Sequence, residues 1–120
     1  MKVAVSTTGK TLEDPVDPRF GRAQYFAILD PEAMDLTVID NNQSLGLPQG
    51  AGIQAAQTVI NEKVSALITG NCGPKAFATL KAAGIAVYTG ALGTVREAVE
   101  QFKAGTLVKA DDANVPGHWS

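Results

Sequence analysis

The sequence lacks the residues from which several kinds of site are built. It contains one cysteine, Cys72, and one histidine, His118, so it cannot form an internal disulfide or supply a zinc cage of nitrogen and sulfur ligands. Lysine and arginine are scattered and the formal net charge is -2, which disfavours nucleic acid and anionic membranes as partners. No apolar run approaches the roughly 18 residues of a membrane span, and no signal-peptide core follows Met1. We therefore expect a cytoplasmic protein.

Motifs of the common enzyme classes are also missing. The acidic residues form no paired-carboxylate motif, and one histidine near the C-terminus does not complete a serine or cysteine triad. Ser6 stands where a metal-dependent nuclease of similar topology would carry an inward aspartate. The glycine-rich stretches match neither the Walker A pattern nor the dinucleotide-binding fingerprint. The sequence therefore predicts a protein without enzymatic activity.

Length and patterning predict one α/β domain. The chain has 120 residues, 45% of them apolar, which suffices for a single hydrophobic core. Short apolar and β-branched runs predict strands at 2–7, 24–30, 36–41, 64–69 and 85–89. Three helices are predicted to alternate with the later strands. The first follows from helical spacing of apolar residues from Ile53 to Val64, the second runs from Pro74 to 83, and the third begins at a capping box formed by Thr94 and Glu97. We assign the domain to residues 1–105 and a tail to 106–120.

This order of elements predicts a mixed five-stranded sheet. Strands two and three form a hairpin, and right-handed crossovers then add parallel strands, giving the order 3-2-1-4-5 with strand 2 antiparallel. The C-terminal ends of strands one, three, four and five and the start of strand two then share one edge. Ligands bind at such edges in open α/β sheets, near the switch point between strands one and four.

Three glycine-bearing turns, at 49–52, 70–73 and 90–93, precede helices on this edge. Helix N-termini present unpaired N–H groups and a partial positive charge, and glycine lets a ligand approach the backbone, so the turns suit an anion. Alternatively, the turns need small residues for purely structural reasons. Arg19 and Arg22, at the end of a long loop over 8–21, could clamp the anion, or Arg19 could pair locally with Asp14 or Asp17. Lys75 adds a further positive charge.

Cys72 lies in the second of these turns, at a helix N-terminus, a setting that lowers the pKa of a thiol and favours the thiolate. As a metal ligand it would suit a soft metal such as copper or molybdenum. The alternative is a small residue that fills space. His118 is expected to be an exposed tail residue rather than a ligand.

Five motifs in sequence order resemble the dinitrogenase iron-molybdenum cofactor biosynthesis family. They are VDPRFGR at 16–22, GAGIQAA at 50–56, GNCGPKAF at 70–77, LKAAGI at 80–85 and GTVREA at 93–98. The resemblance runs to about residue 109. It implies a ribonuclease H-like, three-layer α/β/α domain without nuclease activity.

The resemblance also implies a cargo. Family members act as carrier or storage proteins for a molybdenum-containing metal–sulfur cluster, here a molybdenum-copper sulfide or an iron-molybdenum cofactor precursor, held non-covalently, with a protein recipient as a further partner. The implied binding residues are Arg19, Phe20, Gly21, Arg22, Gln49, Gly50, Ala51, Gly52, Ile53, Asn71, Cys72, Gly73, Pro74 and Lys75. Phe20 and Ile53 would supply apolar walls. Many members have histidine where this chain has Gln49, so the second loop is not expected to coordinate metal.

Two other hypotheses use the same edge. One is a small phosphoryl-transfer or hydrolytic enzyme, which would need a base and a metal-binding carboxylate pair that the sequence does not supply. The other is a regulatory interaction module that docks a partner protein and holds no cofactor.

Overall fold

In the computed structural model, which describes residues 1–42 and 50–111, one six-stranded sheet organises the chain. The strands lie in the order β3-β2-β1-β4-β5-β6. Strand β2 is antiparallel to β1 and β3, β1, β4 and β5 run parallel, and β6 is antiparallel to β5. Their bounds are β1 Val3–Thr7, β2 Tyr25–Leu29, β3 Thr37–Asp40, β4 Ala66–Ile68, β5 Ala86–Thr89 and β6 Val108–Lys109.

The predicted order of the first five strands is confirmed, but the prediction of a five-stranded sheet is wrong by one strand. β6 consists of two exposed residues that pair with Tyr88 and Thr89 of β5, inside the region predicted as a tail. A strand this short shows no periodicity in the sequence, and its backbone pairing with β5 is a long-range contact that local patterns do not reveal.

The described helices begin and end near the predicted positions. Their bounds are α1 Ala51–Asn61, α2 Pro74–Ala82 and α3 Val95–Ala104. The capping box of α3 is confirmed, because Thr94 Oγ1 accepts the Glu97 N–H at 3.1 Å and Glu97 Oε1 accepts the Thr94 N–H at 2.9 Å. Gly105 ends α3 in the left-handed conformation, with φ 75°. None of the helices in the described part of the chain has the length and apolarity that crossing a membrane requires.

The sheet separates two apolar clusters, as a three-layer α/β/α domain requires. In β1, Ala4 packs with residues of α1 and α2, whereas Val3 and Val5 pack with residues of α3 on the opposite face. The period of two along the strand therefore places two helices on one face and one on the other. The ends of β1, β3, β4 and β5 and the start of β2 meet at one edge, as predicted.

Candidate functional site

The structure brings two of the predicted binding loops together at this edge. The residues around Arg19 lie beside Asn71, in a parallel bridge between the long loop and the turn before α2. The Asn71 N–H donates to Pro18 O at 2.8 Å, its Nδ2 donates to the same carbonyl at 3.2 Å, and the Phe20 N–H donates to Asn71 O at 3.2 Å. We call residues 17–22 the Arg19 loop and residues 70–75 the α2 turn. The two form one continuous surface.

Gly70 makes this approach of the two loops possible. A Cβ atom at Gly70 would lie 2.7 Å from Pro18 Cα and 2.9 Å from Pro18 O, closer than side-chain carbons come to backbone atoms. The sequence suggested that glycine in this turn admits a ligand to the backbone. At Gly70 the glycine instead admits the chain's own loop.

The Arg19 loop is anchored by an aromatic ring in the core. Phe20 is fully buried and packs against Phe26 with ring centroids 5.3 Å apart. Its ring therefore does not line the surface of the edge, contrary to the expectation that it forms an apolar wall. Ile53 lies in the first turn of α1 and is 40% exposed, so its side chain can form an apolar wall at this edge.

Arg19 pairs locally with Asp17, which is one of the two local partners that the sequence analysis offered for it. Asp17 Oδ1 accepts the Arg19 N–H at 3.0 Å and lies 3.9 Å from Arg19 Nε. The Asp17 side chain is buried, but half of the Arg19 side chain stays exposed. Asp14 does not take part, because its carboxylate accepts hydrogen bonds from Thr11, which lower the pKa of Asp14. The pair with Asp17 restrains Arg19 while leaving it accessible to an anion at the edge.

Within residues 1–42 and 50–111, the N-termini of α1 and α2 have no side-chain cap. Each begins after a glycine, Gly50 or Gly73, and neither glycine has a side chain that could accept a hydrogen bond from the first turn. The first-turn N–H groups of an α-helix have no partner within the helix, so Ile53 and Lys75, which are both exposed, present donors at this edge. Ala51 and Gly52 lie in the same first turn of α1 and are buried. Both helices start at the same edge and pack side by side on one face of the sheet. Their positive dipole ends therefore point the same way.

The N-terminus of α3 is closed, which corrects the expectation that all three glycine turns serve a ligand. Val95 N–H donates to Asp14 O at 2.9 Å, and Arg96 N–H donates to Leu12 O at 2.9 Å. The Glu97 N–H is taken by Thr94 in the capping box. The first half of the long loop thus satisfies the donors that an anion would need. The candidate anion site consists of the α1 and α2 N-termini and the Arg19 loop.

Cys72 belongs to the apolar core and is fully buried. Burial raises the pKa of its thiol to about 12. The expectation of a lowered pKa at the helix N-terminus is therefore wrong, because removing the thiolate from water outweighs the helix dipole. This burial favours the interpretation as a small space-filling residue, and metal ligation by Cys72 stays a prediction from the sequence.

The described ranges offer no group of three or more histidine, cysteine, aspartate or glutamate side chains placed to hold a metal ion. Two residues singled out from the sequence, Gln49 and His118, lie outside the described residues. Within the described part, the chemistry of the edge is that of backbone N–H groups and arginine. Such an edge can capture an anion that brings its own metal ligands.

Sequence reasoning noted Ser6 only for the carboxylate that it lacks, and it missed Thr69 and Asn41 as buried polar residues beneath the edge. Ser6, Thr69 and Asn41 are fully buried at or beside strand ends. Asn41 Nδ2 donates to Ala23 O at 2.8 Å and to Gly21 O at 3.4 Å, and so holds the end of the Arg19 loop beside the end of β3. The available signal was polar residues at the ends of apolar strands, all at the edge where ligands bind in this class of sheet.

Comparison with known proteins places these features in a family. The family model described as dinitrogenase iron-molybdenum cofactor matches residues 1–105. An uncharacterised protein of Methanocaldococcus jannaschii is 32% identical over 112 residues, which cover 91% of each chain.

Two solved structures resemble the whole chain. The apo form of the orange protein from Desulfovibrio gigas is 43% identical, with a TM-score of 0.92, and the match covers 95% of this chain and 96% of that one. A Thermotoga protein of the DUF35 family, solved by NMR, is 38% identical, with a TM-score of 0.82 and coverage of 97% and 98%. These similarities confirm the family and the fold class expected from the five motifs.

Proposed function

Because the chain belongs to the dinitrogenase iron-molybdenum cofactor family, we propose that it is a non-catalytic carrier or storage protein for an anionic, molybdenum-containing metal–sulfur cluster. The observation that carries the proposal is the half-exposed Arg19 beside the α2 turn, at the edge where α1 and α2 both begin without a side-chain cap. Backbone N–H groups, helix dipoles and a guanidinium are the donors from which anion sites are built. The cytoplasmic location and a protein recipient of the cargo belong to the same proposal.

The donor set favours a cargo that arrives with its metals already ligated. A bare metal ion would need a group of protein ligands, which the described residues do not supply. A sulfide-ligated cluster carries its own negative charge, and its surface atoms accept hydrogen bonds from N–H groups. We therefore favour a molybdenum-copper sulfide cluster, held non-covalently between α1, the α2 turn and the Arg19 loop.

Individual residues take different parts in this proposal. The N–H group of Ile53, the exposed residue in the first turn of α1, would contact the cargo directly, and the Ile53 side chain would cover the apolar side of the cargo. Arg19 and Arg22 would balance its charge. The positive charge of Lys75, unfavourable beside the positive end of the α2 dipole, would be offset by a bound anion.

The test is reconstitution of the protein with tetrathiomolybdate and copper(I). We expect a visible chromophore that stays with the protein through gel filtration. Replacing both arginines, Arg19→Ala with Arg22→Ala, should weaken binding at least about tenfold, because two charge-assisted contacts are lost.

Arg96 provides a matched control for the loss of positive charge. It is an exposed arginine at the closed N-terminus of α3 and pairs with Glu13 at 2.7 Å. Arg96→Ala should therefore leave the binding unchanged. Wild-type protein that retains no chromophore would refute the proposed function, and a defined protein partner captured by such colourless protein would favour a regulatory interaction module.

A further inference from the structure

Two hydrogen-bonded hydroxyls lie buried beneath the Arg19 loop, on neighbouring strands. Ser6 Oγ is 2.8 Å from the Asp17 carbonyl oxygen and 2.7 Å from Thr69 Oγ1. Ser6 and Thr69 are both fully buried. A carbonyl oxygen cannot donate, so the Ser6 hydroxyl gives its one proton to Asp17. The Thr69 hydroxyl then donates to Ser6 Oγ, and the chain of bonds runs in one direction from Thr69 to Asp17.

Asp17 links these buried hydroxyls to Arg19. Its N–H donates to Ser6 O at 2.9 Å, so both its N–H and its carbonyl are fixed to β1. Its buried carboxylate accepts the Arg19 N–H and lies beside the Arg19 guanidinium. The position of Arg19 at the edge therefore depends on residues that do not reach the surface.

We infer that Ser6 and Thr69 are positioning residues for the anion site, and that they act through Asp17 on Arg19. The inference rests on the proposed function for its consequence in binding. Its structural content is independent of the cargo: the two hydroxyls hold the Arg19 loop in register with the α2 turn. Because Thr69 directly precedes Gly70, the same pair also connects the loop to the turn.

Thr7 provides a matched control in the same strand. It is fully buried like Ser6, and its hydroxyl also donates to a carbonyl of the long loop, Pro15 O, at 2.8 Å. That carbonyl belongs to the half of the loop that closes the α3 N-terminus. Thr7→Val and Ser6→Ala each remove one buried hydroxyl, but only Ser6→Ala should disturb the Arg19 loop.

Amide hydrogen exchange in the ligand-free protein tests the structural content. In Ser6→Ala, the N–H groups of Arg19, Phe20 and Asn71 should exchange about tenfold faster, because both hydrogen bonds of the Ser6 hydroxyl are lost. Thr7→Val should leave these three unchanged. Thr69→Val should have a smaller effect than Ser6→Ala, because Ser6 keeps its bond to Asp17. Exchange at these amides that is no faster in Ser6→Ala than in Thr7→Val would overturn the inference.

Binding of tetrathiomolybdate, measured well below the melting temperature of each variant, tests the functional consequence. We expect Ser6→Ala to weaken binding about fivefold to tenfold and Thr7→Val to leave it unchanged. If Ser6 acts through Arg19, its effect should disappear when Arg19 is already alanine. An equal loss in both backgrounds would overturn the role in positioning.

The two proposals can fail separately. Wild-type protein that does not bind tetrathiomolybdate would refute the proposed function. Faster exchange in Ser6→Ala would still support the inference that Ser6 and Thr69 fix the position of the Arg19 loop. Should Ser6→Ala not fold, Thr69→Val carries the same comparison, with a smaller but measurable change expected at Phe20 and Asn71.

Discussion

The Cys72 thiol lies one residue before the N-cap of α2 but behaves as part of the core. Two effects on its pKa oppose each other: the helix N-terminus stabilises a thiolate, and burial destabilises it. Burial dominates and raises the pKa of Cys72 to about 12. A thiol held in this state is a poor ligand, since soft metals bind the thiolate. The residue type and its position before a helix therefore gave the wrong expectation, and only the burial decides.

This burial predicts slow alkylation of Cys72. At pH 8, native protein should react with iodoacetamide far more slowly than protein unfolded in urea, whose thiol has a pKa near 8.5. Raising the pH to 9 should accelerate the unfolded protein only about threefold, because its thiol is already partly ionised at pH 8. The native thiol, whose pKa lies well above this range, should gain about tenfold and still react far more slowly than the unfolded one. Mass spectrometry of quenched samples measures both rates. Equal rates in the two states would contradict a buried thiol.

Each of the three described helices with a preceding glycine-bearing turn treats its first-turn N–H donors differently: the chain itself satisfies those of α3 but leaves those of α1 and α2 without a side-chain cap. The donors of α3 are satisfied by the chain itself, through Thr94 and the carbonyls of Leu12 and Asp14. Those of α1 and α2 follow glycine caps and face the candidate site. The α3 N-terminus is therefore closed by the chain itself, and the proposed function uses the other two.

This division predicts that the α3 cap can be removed without loss of binding. Thr94→Ala deletes the acceptor of the Glu97 N–H and should lower the free energy of unfolding by about 1 kcal/mol. Tetrathiomolybdate affinity should stay unchanged. Thr79→Ala is a suitable control, because the Thr79 hydroxyl bonds back to Lys75 O within α2, where alanine is at least as favourable. Urea unfolding measures stability, and weaker binding in Thr94→Ala would contradict the closed N-terminus.

What the sequence could predict follows the range of the contacts involved. The capping box at Thr94 and Pro74 at the start of α2 are local signals, and both are confirmed. The pairing of β6 and the closure of α3 by the loop depend on residues far apart in sequence, so no local pattern reveals them. The close contact of Gly70 with Pro18 is of the same kind.

In the molecule as a whole, the long loop over 8–21 contributes a residue to the hydrophobic core. Phe20 packs with Phe26 of β2, in the cluster shared by α1 and α2. Hydrogen bonds tie one half of the loop to α3 and the other half to the α2 turn. The loop therefore connects both helical layers across the edge of the sheet. If the proposed anion binds here, an edge built in this way would hold its donors in place beforehand and so reduce the entropy lost on binding.

The final prediction compares two phenylalanines with similar partners. Phe20 lies 5.3 Å from the Phe26 ring and is fully buried, whereas Phe102 lies 5.1 Å from the Tyr88 ring and is only partly buried. Replacing a fully buried phenylalanine by alanine costs about 3–5 kcal/mol, and a half-buried one should cost about half of that. Phe20→Ala should therefore destabilise the whole domain more than Phe102→Ala, although Phe20 lies in a loop.

Urea unfolding of the two variants distinguishes a loop that belongs to the core from a loop that detaches independently. Circular dichroism follows the sheet and helices, and the NMR signals of the loop amides follow the loop. If the loop belongs to the core, loop signals and the circular dichroism of the sheet and helices should be lost in one coincident transition, shifted to lower urea in Phe20→Ala. A detachable loop would lose its signals first and leave the main transition in place, because the apolar area buried by Phe20 would then not contribute to the stability of the sheet and helices.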